Sequence, residues 1–357
     1  MHERRRHRRS VFWALSLAIA GAAAVLPVVP SRVFAAAPSP PNVSARAALV
    51  MDSDTGVVLW ERNGDLPLPP ASTTKILTTV LALESGRLDD AFPVSANAQA
   101  QAPSKLDLRA GQRVRLMDLV YALMLKSAND AAVVVAEGLG GSIDGFAHAM
   151  NKRAREIGAT QSHFRNPNGL PNDEHVTSAR DLANILRHAL SVPGFRGVAS
   201  TPATDIPVIG TSATPRLIPV RSHNRLLSNY PVPVIGKTGY TRAAGRCFAG
   251  AATLDGRETI IVVLGSSNLW GDARKLIAYG LSTLTPDAAS RVQFAASDPP
   301  ARKRTVVRKG APSNKHKKSQ VARSKTKPTG AKAAVRSRPA SPKTPSARSG
   351  SATRSGG

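Results

Sequence analysis

The chain has 357 residues, 42% of them hydrophobic, a single cysteine and a formal net charge of +26. That apolar content is enough for a real core of about 250 residues in one domain, and the lone cysteine excludes an internal disulfide. The charge is concentrated at the ends: of 49 basic residues, 5 lie within residues 4–9 and 17 within residues 302–354, leaving 27 against 22 acids between them. The middle is therefore a nearly balanced domain, not a uniformly basic nucleic-acid binder.

MHERRRHRRS followed by VFWALSLAIAGAAAVL joins a cationic head to an apolar run too short to span a bilayer comfortably. It reads as an export signal over residues 1–35, cut after Val33-Phe34-Ala35. Cutting after Ala35-Ala36-Ala37 would leave Pro38 at the new terminus, and an uncleaved anchor is the alternative. Arg8-Arg9-Ser10-Val11-Phe12 only loosely resembles a twin-arginine signal. Next, residues 47–51 and 57–61 read as strands around the turn Asp52-Ser53-Asp54-Thr55-Gly56, a hairpin. The stretch PPASTTKILTTVLALESGRL, residues 69–88, reads as a helix with apolar Ile76, Leu77, Val80, Leu81 and Leu83. From Ser72 to about residue 184 the pattern is largely helical, including 116–125, 130–138 and 143–157. Strand-like runs return at 232–235, 247–254 and 259–264, and 272–281 reads as a closing helix.

Strands at both ends with helices between them predict one antiparallel sheet completed by both ends of a domain spanning residues 36–295, with a helical lobe beside it. Cys247, in the strand-like run 246–253, reads as a buried apolar residue rather than a reactive thiol. Residues 296–357 are Lys, Arg, Ser, Pro and Ala with almost no large apolar side chain, and are expected to be a disordered basic tail. Two readings of that tail stand side by side. One is tethering to anionic membrane headgroups or acidic cell-wall polymer, at about 1 kcal/mol per basic residue near the surface. The other is a solvated end. Nucleic acid is not expected as a partner, since the tail lacks interleaved aromatic residues.

Ser72-Thr73-Thr74-Lys75 opens the first long helix. A serine there can serve as a cap, and a lysine three residues on lies one turn away on the same side. A serine hydroxyl is a poor nucleophile at neutral pH, and a neutral lysine amine one turn away can activate it. The amine pKa must then fall from about 10.4 towards 7 or 8, a bias of about 4 kcal/mol. Burial, the positive helix end and a second cation all act in that direction. Lys237-Thr238-Gly239, the only such tripeptide in the chain, could supply the cation. Its lysine and threonine can bind a carboxylate, and Gly239 lets a substrate backbone approach; an edge-strand lysine before a turn is the plainer alternative. Ser127-Ala128-Asn129 lies in a short polar turn between apolar helices, where side chains can be aimed into a cleft. Ser-x-Asn also occurs at Ser95, Ser222 and Ser266, and the tail holds a second Ser-x-x-Lys at Ser324, so spacing alone identifies neither motif.

Taken in order, STTK, SAN and KTG make the motif triplet of penicillin-binding proteins and class A β-lactamases. More narrowly, residues 47–281 resemble the low-molecular-weight, serine-type D-alanyl-D-alanine carboxypeptidases. The likeness rests on MLKSANDAA at residues 124–132, FRNPNGLPNDEHVTSARDLA at 164–183, SHNRLL at 222–227 and GKTGYTRAAGRCF at 236–248. It implies an α/β fold of the β-lactamase and penicillin-binding-protein type, with an antiparallel sheet flanked by helices plus a helical lobe. It implies that Ser72 is acylated, that Lys75 takes its proton and that Ser127 relays a proton to the departing D-alanine. Asn129 would hold the donor backbone, and Lys237, Thr238 and Gly239 would bind the substrate end. The backbone N–H groups of Ser72 and Tyr240 would form the oxyanion hole, where one donor is worth about 3 to 4 kcal/mol. Peptidoglycan stem peptides are the implied substrates and β-lactams the implied covalent inhibitors. No cofactor or metal is implied. The implied location is the bacterial periplasm or cell envelope, with membrane association.

Two departures stand out. The text after Leu281 has no β-rich second domain or amphipathic anchor like those of many relatives, and residues 266–271 contain no arginine before Arg274 to help hold a carboxylate. A D,D-endopeptidase of the same fold is the nearest alternative. A β-lactamase should carry Glu-x-x-Leu-Asn, whereas Glu174 is followed by His175-Val176-Thr177-Ser178. The eight histidines show no His-Glu-x-x-His spacing, which argues against a metallopeptidase.

Overall fold

In the computed structural model, residues 38–210 and 214–286 are described. The expected export signal and basic tail lie outside them. The chain begins with the hairpin of β1 (Ala47–Asp52) and β2 (Val58–Arg62). A single 3-10 turn, Ala71–Thr74, runs straight into α1 (Lys75–Glu84). The lobe that follows contains β3 (Ala91–Pro93), α2 (Ala96–Gln99), β4 (Arg113–Arg115) and α3 (Leu116–Tyr121). A π-turn at Ala122–Lys126 leads to α4 (Asn129–Gly140), α5 (Ile143–Glu156), α6 (Ala179–Ser191) and α7 (Phe195–Ala199). Then come β5 (Ala203–Val208), β6 (Arg216–Arg221), α8 (Leu226–Asn229), β7 (Val234–Thr241), β8 (Gly245–Leu254), β9 (Arg257–Ser266) and α9 (Leu269–Leu284).

The main sheet has the order β2-β1-β9-β8-β7 and is antiparallel throughout. β1 pairs with β9, Ala47 opposite Leu264 and Asp52 opposite Thr259, so both ends of the domain do complete one sheet. All six residues of β1 are buried, as expected for a strand covered on both faces. The pleat sends alternate side chains into two cores. Leu49 and Met51, with Ile260 and Val262, face the lobe that contains α1 and α6, whereas Ala48 and Val50, with Ile261 and Val263, face Leu276, Ile277 and Leu281 of α9. The sheet is thus a middle layer whose free β7 edge turns toward the start of α1.

Two expectations need correction. The run from Ser72 to about residue 184 is not continuously helical. Ser85-Gly86 ends α1, with Gly86 at φ +69, and the chain then makes the β3–β4 hairpin before α3. Residues 157–178 form a largely irregular loop rich in Asn, Pro and Gly, residue types that favour turns over helices. The strand expected at 232–235 continues through Lys237-Thr238-Gly239 to Thr241, because every residue from Val234 onward has a partner on β8. The hairpin of β5 and β6 had no counterpart in the sequence reading. Cys247 is buried, and burial raises its thiol to about 11, which leaves it inert.

Asp130, fully buried at the start of α4, pins the segment before α3 to the lobe. Its carboxylate accepts the backbone N–H groups of Leu106 (3.0 Å), Leu108 (3.1 Å) and Ala131 (2.9 Å). Asp130→Ala strips these donors of their acceptor and is expected to cost about 3 kcal/mol or more. Urea unfolding should record this as a lowered midpoint.

Candidate active site

Ser72 does not cap a helix. It sits inside the 3-10 turn, and neither that turn nor α1 has a side-chain cap. Two glycines bring other backbone against it. A Cβ at Gly239 would lie 2.9 Å from the Ser72 nitrogen and 3.1 Å from the Pro70 carbonyl, so only glycine lets β7 run this close to the serine. At Gly169, φ +78, a Cβ would lie 1.9 Å from the Ala71 carbonyl oxygen. The loop between α5 and α6 is thereby laid directly on the turn from the other side.

Lys75, the first residue of α1, has no exposed surface. Its Nζ lies 2.6 Å from the Asn168 carbonyl, 2.7 Å from Asn129 Oδ1 and 3.0 Å from Ser72 Oγ. A neutral amine has two N–H donors and one lone pair. The two shorter contacts are to oxygens that can only accept, so they take the N–H groups and leave the lone pair for the Ser72 hydroxyl. Burial lowers the Lys75 pKa well below its usual value; the Lys237 charge lowers it further and Asp130 partly opposes this.

Lys237 is also buried. Its Nζ donates to Ser127 Oγ at 2.9 Å and to the Thr238 carbonyl at 2.8 Å. Burial brings it to about 7. Burial and the neighbouring Lys237 together bias Lys75 toward its neutral form. Ser127 holds this position through strain: the π-turn leaves it at φ 61, ψ 36, a left-handed conformation uncommon for serine. It caps nothing, since α4 has Ala128 at its N-cap. The other Ser-x-Asn sites have local uses instead. Ser95 caps α2, Ser222 accepts from the Asn224 N–H, and Asn268 caps α9. Asn129 has both ends of its amide engaged, Oδ1 by Lys75 and Nδ2 by the Ala102 carbonyl at 2.9 Å.

Together Ser72, Ser127, Asn129, Thr238, Gly239 and Tyr240 line one cleft of about 460 Å³. Lys75 and Lys237 stand behind its wall. A larger hollow, about 670 Å³, lies beside α5 and α6, but it holds none of the motif residues. Two of its arginines are bound to carboxylates, Arg153 to Glu84 and Arg196 to Glu258. Among the described residues, no group of three His, Cys, Asp or Glu side chains could hold a metal ion.

With that geometry established, sequence comparison identifies the D-alanyl-D-alanine carboxypeptidase family over residues 34–268. The chain belongs to this family. A D-alanyl-D-alanine carboxypeptidase of Mycobacterium tuberculosis is 33% identical over 70% of this chain and 86% of the relative. One from Bacillus subtilis is 32% identical over 62% of this chain, which spans 58% of that protein. A D-alanyl-D-alanine endopeptidase of Pseudomonas aeruginosa is 30% identical over 77% of this chain and 89% of its own. A solved serine-to-alanine mutant of the Streptomyces K15 DD-transpeptidase superposes with a TM-score of 0.65 at 30% identity, covering 68% of this chain and 99% of that one. These likenesses establish the penicillin-binding-protein fold and a serine peptidase of the cell wall.

Three site components of this carboxypeptidase family member escaped the sequence reading. The Asn168 carbonyl is one, and no side-chain pattern marks a main-chain acceptor. Arg225 and Arg246 are the others, and both line the cleft. Arg246, the second residue of β8, lies opposite Tyr240 on β7 and Ser266 on β9 and donates to the Ser267 carbonyl at 3.3 Å. Arg246 thus places a guanidinium on the cleft from the strand before the last. Both arginines lay within SHNRLL and GKTGYTRAAGRCF, stretches that carried the resemblance without having been assigned a role.

Replacing Lys237 with Gln removes the cation that opposes protonation of Lys75. The Lys75 pKa is expected to rise, measurable by NMR titration of protein labelled with 15N at lysine Nζ.

Proposed function

We propose that this enzyme is a D,D-carboxypeptidase that removes the terminal D-alanine of peptidoglycan stem peptides through an acyl-enzyme on Ser72. The observation that carries this reading is the Lys75 amine, 3.0 Å from Ser72 Oγ with both N–H groups committed elsewhere. Lys75 takes the Ser72 proton as Oγ attacks the carbonyl carbon of the penultimate D-alanine. The oxyanion goes to the backbone N–H groups of Ser72 and Tyr240, where preorganised donors act most strongly. The C–N bond then breaks. Ser127 passes a proton to the amine of the departing D-alanine and is reprotonated from the Lys75–Lys237 pair. Water next attacks the ester, Lys75 takes its proton, and the shortened peptide leaves with Ser72 restored. Asn129 keeps the Lys75 amine in line. Thr238, Gly239 and the cationic field of Lys237 receive the terminal carboxylate, and Arg225 and Arg246 add positive charge at the mouth of the cleft. A β-lactam enters the same way and remains on Ser72 as an ester.

The likeness to the Pseudomonas endopeptidase supports a second reading, in which the same acylation cuts cross-links between stem peptides. The residue assignments are common to both.

For the ends of the chain we infer an export signal over residues 1–35, a catalytic domain over 36–295 and a basic tail over 296–357 that holds to anionic membrane surface or cell-wall polymer. Composition supports this reading: the cationic head and short apolar run at the start, and 17 basic residues without an acid within 302–354. No helix among the described residues is long and apolar enough to cross a membrane.

A fluorescent penicillin should label the wild-type protein and leave Ser72→Ala unlabelled. Mass spectrometry of digests should show loss of one D-alanine from pentapeptide monomers. Hydrolysis confined to cross-linked dimers would replace the carboxypeptidase reading with the endopeptidase one.

A further inference from the structure

The loop that delivers the Asn168 carbonyl is closed at its neck. His163 and Val176 exchange two backbone hydrogen bonds of 2.9 Å, so residues 164–175 leave and return at one point. Its tip reaches α1 through two carbonyls. Asn168 accepts from Lys75 Nζ at 2.6 Å, and Pro167 accepts from Thr78 Oγ1 at 2.7 Å. Beneath the tip, Thr74 Oγ1 lies 2.9 Å from where a Cβ on Gly169 would be.

His175 joins these parts and is itself buried. Its Nδ1 accepts the backbone N–H of Arg165 at 3.0 Å, which leaves the proton of a neutral ring on Nε2. That Nε2–H donates to Thr74 Oγ1 at 2.9 Å. The ring of Phe164 meets it edge-on at 5.5 Å. One imidazole therefore ties the two ends of the loop to each other and to Thr74, the residue before Lys75. Protonating the ring would set an N–H on Nδ1 against the N–H of Arg165, so the clasp exists only with a neutral histidine. Burial, then His163 and Lys75, lower its pKa to about 4, which keeps it neutral under ordinary conditions.

From this geometry we infer that His175 is a positioning residue, clasping loop 164–175 onto Thr74 and so holding the Asn168 carbonyl against the Lys75 amine. The inference rests on the acyl-enzyme reading and goes beyond it in assigning the supply of a neutral base partly to a loop. Burial is the largest influence lowering Lys75, which is also faced by Lys237 from β7, Asp130 from α4 and His175 itself. A loosened loop admits water to the amine, relieves that burial and makes protonation easier. Acylation then needs a higher pH.

The test uses full-length protein, with a fluorescent penicillin as probe and the acylation rate constant of Ser72 measured from pH 5 to 10. His175→Asn keeps an acceptor for Arg165 but loses the donor to Thr74, and Thr74→Val removes the partner while keeping its shape. Each variant is expected to acylate about tenfold more slowly at pH 7, to recover in alkali and to show its acid limb about one pH unit higher. The double variant should be little worse than either single one, because both break the same contact. A wild-type acid limb in folded Thr74→Val protein would overturn the inference. So would a uniform slowing at every pH, since that signals a structural role only. If wild-type protein shows no labelling at Ser72, the acyl-enzyme reading itself fails, an outcome distinct from a labelled wild type with unchanged variants.

Discussion

The site depends on one amine being kept without its proton in the interior. An ammonium as deeply buried as Lys75 would need a carboxylate within contact distance to offset its desolvation. None of the Nζ contacts is to a carboxylate; all three are to neutral oxygens. Asp130 is near enough to influence Lys75, yet its oxygens are taken by backbone N–H groups. The only other lysine buried to this degree among the described residues, Lys237, bonds to Ser127 and to a carbonyl, so it repels Lys75 without competing for the same partners. The two lysines thus divide the site: one amine stands against the nucleophile, the other against Ser127.

Every piece of backbone around Ser72 serves that division. The β7 edge, the π-turn before α4 and the loop between α5 and α6 each approach from a different part of the sequence, and each carries a local irregularity where it arrives. Gly239 and Gly169 remove side chains at the points of contact, and Ser127 adopts a left-handed conformation. Such features weaken the elements that contain them and persist because the surrounding packing holds them in place. The cores on both faces of the sheet provide that packing, in particular the fully buried residues of β1, β8 and β9.

Much of this arrangement was legible in the sequence because its physical signals are local. Hydrophobic runs gave the β1–β2 hairpin, the later strands and α9, and the occurrence of strands at both ends of the domain was enough to infer a shared sheet. Ser72, Lys75, Ser127 and Lys237 stood out because a serine nucleophile needs a base and that base needs a second cation, so each motif made a demand that another could meet. What stayed hidden depends on tertiary contact. Nothing local says that the Asn168 carbonyl reaches Lys75, that Asn129 turns both ends of its amide inward, or that Arg246 looks into the cleft from β8. Helical periodicity was also overextended through residues 85–115 and 157–178, where Gly, Pro and Asn favour turns and the few apolar residues anchor loops rather than form a helical stripe.

The register between β1 and β9 has a consequence for how such a molecule is made. Met51 and Thr259, hydrogen-bonded neighbours at the centre of the sheet, are 208 residues apart in the chain. An emerging polypeptide cannot complete its central layer until nearly the whole domain has left the ribosome. Until then the strand that will be covered on both sides has nothing to cover it, a topology associated with slow folding and exposed edges. The pairing of β1 with β9 is therefore the step that closes the fold, and the earlier strands stay open to other contacts until it occurs.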